Sequence, residues 1–183
     1  MKNLCAGKVC LVLVVFAVAT AWSADSFAAT TIHLKATGDA QGVIPGESTI
    51  TSLGRTDTIV ILEWHHLIRN EGGKKQHEPI VFLKPISKAT PPFYNALNTG
   101  ENFTLQFMFF RPAPGGSGAE QWFQTIHLSQ ARIMAIEPIT RNVLEPEGAN
   151  LPHMERIRVT YGQITISDEV NGTEAVLTNT APQ

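Results

Sequence analysis

The chain has 183 residues, with 14 Lys and Arg against 16 Asp and Glu and a formal net charge of −2. It carries no basic run or stripe, which excludes a nucleic-acid binder of the electrostatic kind. Both cysteines, Cys5 and Cys10, fall in the first ten residues, so the remainder is expected to have no disulfide and no thiolate metal site.

Residues 1–28 have the pattern of a cleavable signal peptide. Lys2 and Lys8 precede an apolar run from Val9 to Trp22, and Ser26-Phe27-Ala28 supplies small residues at the −3 and −1 positions. The run is shorter than the roughly 20 residues that span a bilayer. Cleavage after Ala28 is expected, with a secreted or periplasmic product and no membrane insertion afterwards. One domain, 29–183, remains. A chain of that size buries roughly 70% of its unfolded surface and needs no metal to fold.

The rest reads mainly as strands. Thr31 to Lys35 alternates polar and apolar. Gly38 to Thr58 lacks periodicity and holds five of the glycine and proline positions, so it is expected to be a long extended loop, a feature usually functional or mobile. Its apolar residues Val43, Ile44, Ile50 and Leu53 have no use in a solvated loop, and they are the expected oligomer contacts. Ile59 to Arg69 reads as one strand. Asn70 to His77 reads as a polar turn around Gly72-Gly73. Pro79 to Lys84 is a short strand with Pro at its first position. In "KATPPFYNALNTG", Thr90 is placed as N-cap, Pro91 at the first helical position and Gly100 just past the end. Phe93, Ala96 and Leu97 give that helix its apolar face.

Thr104 to Arg111 is a strand with Leu105, Phe107 and Phe109 on one side. Residues 112–118 form a loop, and Trp122 to Ile136 forms one long, bent strand. Glu155 to Ser167 is a strand whose apolar phase flips at Gly162, which suggests a β-bulge. Asn171-Gly172 signals a hairpin turn, and 168–183 is expected to be a polar tail. One helix among many short antiparallel strands implies a mainly β fold, a two-sheet antiparallel barrel or sandwich with one flanking short α-helix.

No catalytic, cofactor or metal set is legible. In "ILEWHHLI" the adjacent His65 and His66 point to opposite faces of a strand. They cannot share one metal, so His66 is expected in the core and His65 near the surface. His153 and Glu155 are two apart but lack the further ligands a site requires. Gly46-Glu47-Ser48 lacks the second glycine of a nucleophile elbow. Gly115 to Gly118 is followed by no helix and is not a phosphate loop.

Four segments together carry a resemblance: "GRTDTIVILEWHHLI", "HEPIVFLKPISKATPPFYNAL", "WFQTIHLSQARIMAIEPI" and "PHMERIRVTYGQITI". The second contributes His77, Pro79, Lys84, Lys88, Thr90 and Pro91. The fourth contributes His153, Met154, Glu155 and Tyr161. In this order the chain, from about Thr31 to Ser167, resembles the hemolysin-coregulated protein family, Hcp, of type VI secretion systems. The resemblance implies a structural, non-enzymatic subunit whose partner is itself. Copies would form hexameric rings with a central channel, rings would stack into a tube, and secreted effector proteins would ride inside. The segment matching Gly38 to Thr58 would reach a neighbouring ring. The leader departs from the family pattern. It raises an alternative, an exported periplasmic or extracellular β-barrel binding module that reuses the fold without forming a tube.

Overall fold

The computed structural model describes residues 30–115, 118–140, 142, 144 and 152–179; the leader therefore lies outside the described residues, as do parts of the 112–118 loop and the last four positions. The elements are β1 (Thr31–Gly38), β2 (Gly42–Ile44), a 3₁₀ turn (Ser52–Gly54), β3 (Ile59–Ile61), β4 (Glu63–His65), β5 (Ile68–Glu71), β6 (Lys74–His77) and β7 (Ile80–Pro85). Then come α1 (Thr90–Thr99), β8 (Asn102–Pro112), β9 (Glu120–Ile139), β10 (Met154–Thr160), β11 (Gln163–Asp168) and β12 (Thr173–Thr178).

All pairings are antiparallel. One sheet runs β2-β1-β8-β9-β10-β7-β4, with β3 on β1 and the β11–β12 hairpin branching from β9. The 20-residue β9 is the spine. Its first half pairs with β11 and its second half with β10. The segment β3–β4 pairs with β1 at one end and with β7 at the other. It thereby bridges the two margins and gives the sheet a barrel-like form. Leu34, Phe82, Phe107, Leu128, Ile157 and Val159 fill the interior, and α1 lays Phe93 and Ala96 on it. Phe82 and Phe107 meet edge-on at 5.4 Å, as do Phe93 and Phe103 at 5.9 Å, the offset geometry aromatic quadrupoles favour.

Several sequence expectations need correction. The strand expected over Ile59 to Arg69 is three pieces. The chain leaves the β1 margin and joins the β7 margin at Leu62, whose N–H donates to the Leu83 carbonyl at 2.8 Å. The inward phase changes there. Ile59 and Ile61 are buried while Leu62 is exposed, and Trp64 then turns towards Phe107 and Phe109. The polar turn expected over 70–77 contains β6, which pairs with β5 as a separate ribbon. Its turn places Gly72 and Gly73 at φ 58° and 83°, the left-handed region glycine enters without a Cβ clash. The expected polar tail from 168 contains β12, paired with β11 along its length. The Asn171-Gly172 turn signal holds, with Gly172 at φ 69°.

The phase flip at Gly162 is not a bulge. Thr160 faces Arg132 and Gln163 faces Ser129, so both strands advance by the same number of residues. The facing Gln130 takes φ 53°, and the two strands kink together. A Cβ at 162 would meet the end of the Gln130 side chain and lie 3.2 Å from its Cβ, so a larger residue there would require Gln130 to shift. The true slip lies between Arg158 and Val159, where β9 carries Met134 as the extra residue.

Helix α1 starts one residue earlier than expected, with Ala89 at the cap position and no side-chain cap. The Thr90 hydroxyl instead accepts the Ser87 N–H at 3.1 Å. Gly100 ends the helix at φ 68°, with its N–H on the Ala96 carbonyl, as a left-handed C-terminal glycine should.

Candidate functional site

The segment expected to be a long solvated loop is a strap folded onto its own barrel. β2 continues into it, and Ile44, Gly46 and Ser48 are buried in alternation. The Gly46 N–H donates to the Asp57 carbonyl at 2.7 Å, the Ser48 N–H to Thr58 at 3.0 Å, and the Asp57 N–H back to Ser48 at 2.9 Å. These bonds close the strap into a narrow hairpin-like arm. Ile44 joins the domain core at 4% exposure, which corrects its assignment as an oligomer contact. Val43, Ile50 and Leu53 stay exposed. Two non-glycine residues of the arm lie in the left-handed region, Leu53 at φ 54° in its outer turn and Asp57 at φ 55° within its backbone bonds.

Arg55 pins the arm. Its side chain is fully buried, ion-paired with Glu120 of β9, and stacked 4.6 Å from the Phe110 ring. It also donates to the Ser52 hydroxyl at 2.6 Å and the Ser52 carbonyl at 3.2 Å. The Arg55 hydrogen bond holds the Glu120 carboxyl below the usual range. Behind it, the Thr58 hydroxyl donates to the Arg55 carbonyl at 2.6 Å. That hydroxyl has one proton, so the 2.8 Å bond to His33 must come from the His33 Nδ1–H. Burial, then the Arg55 charge, lowers the His33 pKa to about 4 and keeps this donor tautomer neutral. Sequence reasoning did not find Arg55, Glu120, His33 or Thr58. Arg55 and Glu120 are 65 positions apart, and no local pattern links them.

Motif residues from distant segments meet in two buried clusters. In the first, the Lys84 ammonium donates to Glu155 at 2.6 Å, to the Pro85 carbonyl at 2.8 Å and to Thr90 at 3.2 Å. The Thr90 hydroxyl donates to the same Glu155 oxygen at 2.8 Å. Lys84 and Glu155 side chains are both fully buried, and they face each other across β7 and β10. Burial lowers the Lys84 pKa, and the Glu155 hydrogen bond opposes that shift. This cluster ties the start of α1 to the barrel.

In the second cluster, the Tyr161 hydroxyl lies 2.8 Å from His77 Nδ1 and 2.8 Å from His66 Nε2. His66 thus turns inward while His65 is exposed, and the pair is split between faces as expected. The buried partner of His66 is a tyrosine hydroxyl rather than backbone. We expect His66→Ala to cost about 1–3 kcal/mol, and His65→Ala to stay within about 0.5 kcal/mol. Urea unfolding of the two variants checks both values.

The remaining motif residues are dispersed. Pro79 lies just before β7. Lys88 is exposed, with its N–H on Glu47 at 2.8 Å and its ammonium 3.7 Å from Asp57. Pro91 sits in the first turn of α1. His153 is exposed near Thr140, and Met154 is buried. Among the described residues no three His, Cys, Asp or Glu converge to hold a metal, and no helix is long and apolar enough to cross a membrane.

The model of the family described as type VI secretion system effector, Hcp, matches residues 33–167. The major exported protein of Pseudomonas aeruginosa is 29% identical over 161 residues, covering 79% of this chain and 92% of its own length. A solved structure described as an Hcp protein superposes with a TM-score of 0.74 at 28% identity, covering 82% of this chain and 98% of that one. The secreted protein Hcp3 of P. aeruginosa shares the fold with a TM-score of 0.68 at 24% identity, over 82% and 98% of the two chains. The arm, the Lys84–Glu155 pair and the His66–Tyr161–His77 cluster thus lie within the matched span, and the chain belongs to the Hcp family of type VI secretion.

Proposed function

We propose that the chain is exported, with cleavage after Ala28, and assembles head to tail into six-membered rings that stack into a type VI secretion tube. Secreted effector proteins would occupy the central channel, and the subunit's role would be structural rather than catalytic. The observation that carries this reading is the family match over residues 33–167. Two surface features support it. A head-to-tail stack of rings needs two different, complementary patches on each copy. One is the arm, where Val43 at its base on β2 and Ile50 and Leu53 towards its tip are 75%, 39% and 45% exposed. Another, unlike it, is the β11–β12 hairpin, with exposed Val170 in its turn and exposed Val176 on β12. Among the described residues β12 pairs with a strand on one side only, and an uncovered strand margin is a template for association. The arm tip is the proposed contact between rings.

Negative-stain images of the mature protein test the proposal: six-fold rings are expected, and a field of single small particles would contradict it in favour of the exported binding module. Replacing both Ile50 and Leu53 with Asp should weaken stacking about tenfold or more, since each contributes roughly 1 kcal/mol of apolar burial. Because both side chains are exposed in the subunit, the domain's thermal midpoint should hardly move. A large fall in that midpoint would return these residues to the subunit's own core.

A further inference from the structure

We propose that the His66–Tyr161–His77 cluster is an acid-operated clasp, which fastens the β5–β6 ribbon to the barrel near neutral pH and lets it open as the pH falls. Among the described residues the ribbon is the one strand pair whose backbone ladder is separate from the main sheet. β5 and β6 bond to each other, and the Glu78 N–H closes on Leu67 at 3.0 Å at the base. The packing of Ile68 on the core and the clasp both hold it down. His77 stands at the end of β6, His66 in the link before β5, and fully buried Tyr161 at the kink between β10 and β11. Both imidazoles meet the phenol ring edge-on, at 5.5 and 5.7 Å.

Proton counting makes the clasp sensitive to acid. A phenol has one proton to donate. In the neutral cluster Tyr161 donates to one imidazole and accepts an N–H from the other. If both rings are protonated, each can only donate. The buried phenol proton then has no acceptor, and two cations share one low-dielectric site. Neither arrangement is tolerated without opening.

Among the described residues the surroundings offer no counter-charge paired with either ring. His65 on β4 and Lys75 on β6 both disfavour the protonated rings. Arg69 on β5 is taken up by Glu78 at 2.6 Å and Glu71 at 3.4 Å. Glu63 on β4, Lys74 on β6 and Arg158 on β10 are exposed. Among the described residues no carboxylate bonds to either ring.

The sign follows from linkage. Burial first, then the neighbouring imidazoles of His77 and His65, lowers the His66 pKa to about 4 in the closed state. An open ribbon returns it to its ordinary 6.5. The open state therefore binds more protons between these values. Opening is favoured progressively as pH falls from 6.5 towards 4, by about 30-fold at pH 5 from His66 alone. His77 shifts in the same direction, through burial and then Lys75.

Hydrogen exchange of the mature protein between pH 7.5 and 5, normalised to unstructured-peptide rates, tests this. Amides of Ile68 to His77 should lose protection about 30-fold or more, with those of β8 and β9 unchanged. His66→Gln and His77→Gln, which hydrogen-bond but do not charge, should flatten the slope. The wild-type NMR titration gives a reading that no variant can spoil by misfolding. A His66 ring titrating near 6.5 in the folded protein would overturn the clasp. So would ribbon protection independent of pH, loss of protection in step with β8 and β9, or a folded His66→Gln that keeps the full slope.

Discussion

Lys84→Met should lower the unfolding free energy by about 3–5 kcal/mol, because it strands the Glu155 carboxylate in the interior. The loss follows from burial on both sides: each side chain is fully inaccessible, and the ammonium supplies the nearest counter-charge. Thr90 still donates to Glu155 at 2.8 Å, yet one hydroxyl bond does not replace a cation. For a domain of this size the thermal midpoint should fall by about 10 °C. The double variant Lys84→Met with Glu155→Leu should recover most of the loss, since a well-packed apolar pair can match a buried ion pair. Urea unfolding of the single and double variants makes the test. A double variant no better than the single one would mean that the pair contributes through shape and not charge.

Gly46→Ala should cost about 3 kcal/mol, the upper range of overpacking. A Cβ at this position would overlap the Thr58 carbonyl and the Ile59 nitrogen, which are backbone atoms that cannot swing away. The arm must then lift, breaking the Gly46 bond to Asp57 and disturbing the seat of Arg55. Gly42→Ala is the control. It meets nothing within 4 Å but sits at φ 71°, so it should cost only the left-handed backbone penalty of about 1–2 kcal/mol. Denaturation midpoints of the two variants, with limited proteolysis across 46–58, check the difference. Equal effects would show that the arm is held loosely.

Elements whose two faces differ were legible from sequence. β8 shows Leu105, Phe107 and Phe109 in alternation, and they are buried together, while Met108 and Phe110 on its other face are buried as well, Phe110 beneath Arg55 of the arm. α1 shows Phe93 and Ala96 on one stripe, and both are buried. Elements that alternate against solvent on both faces were not. Lys74 to Gln76 is exposed throughout, and Thr173 to Val176 likewise. Strand pairing there depends on backbone bonds to a neighbour, which leave no apolar pattern.

The strand through Ile59 to Arg69 misled for another reason. Its period is real, but at Leu62 the chain changes partners, and the phase changes with it. In the arm, Gly46 lies directly against Thr58 and Ile59, and Ile44 pairs with Ala36 of β1, contacts no local window of the arm contains. Family resemblance located Lys84, Thr90, Glu155, His77 and Tyr161 without indicating how they pair. Pairing is set by β7 against β10 and by the kink at Gly162, where the registers of three strands meet.

The mass of the mature protein in solution tests the central claim most directly. Light scattering or sedimentation at tens of micromolar should give six times the subunit mass, held steady on dilution over a tenfold range. A mass equal to one subunit across that range would contradict the ring and leave an exported barrel that works alone.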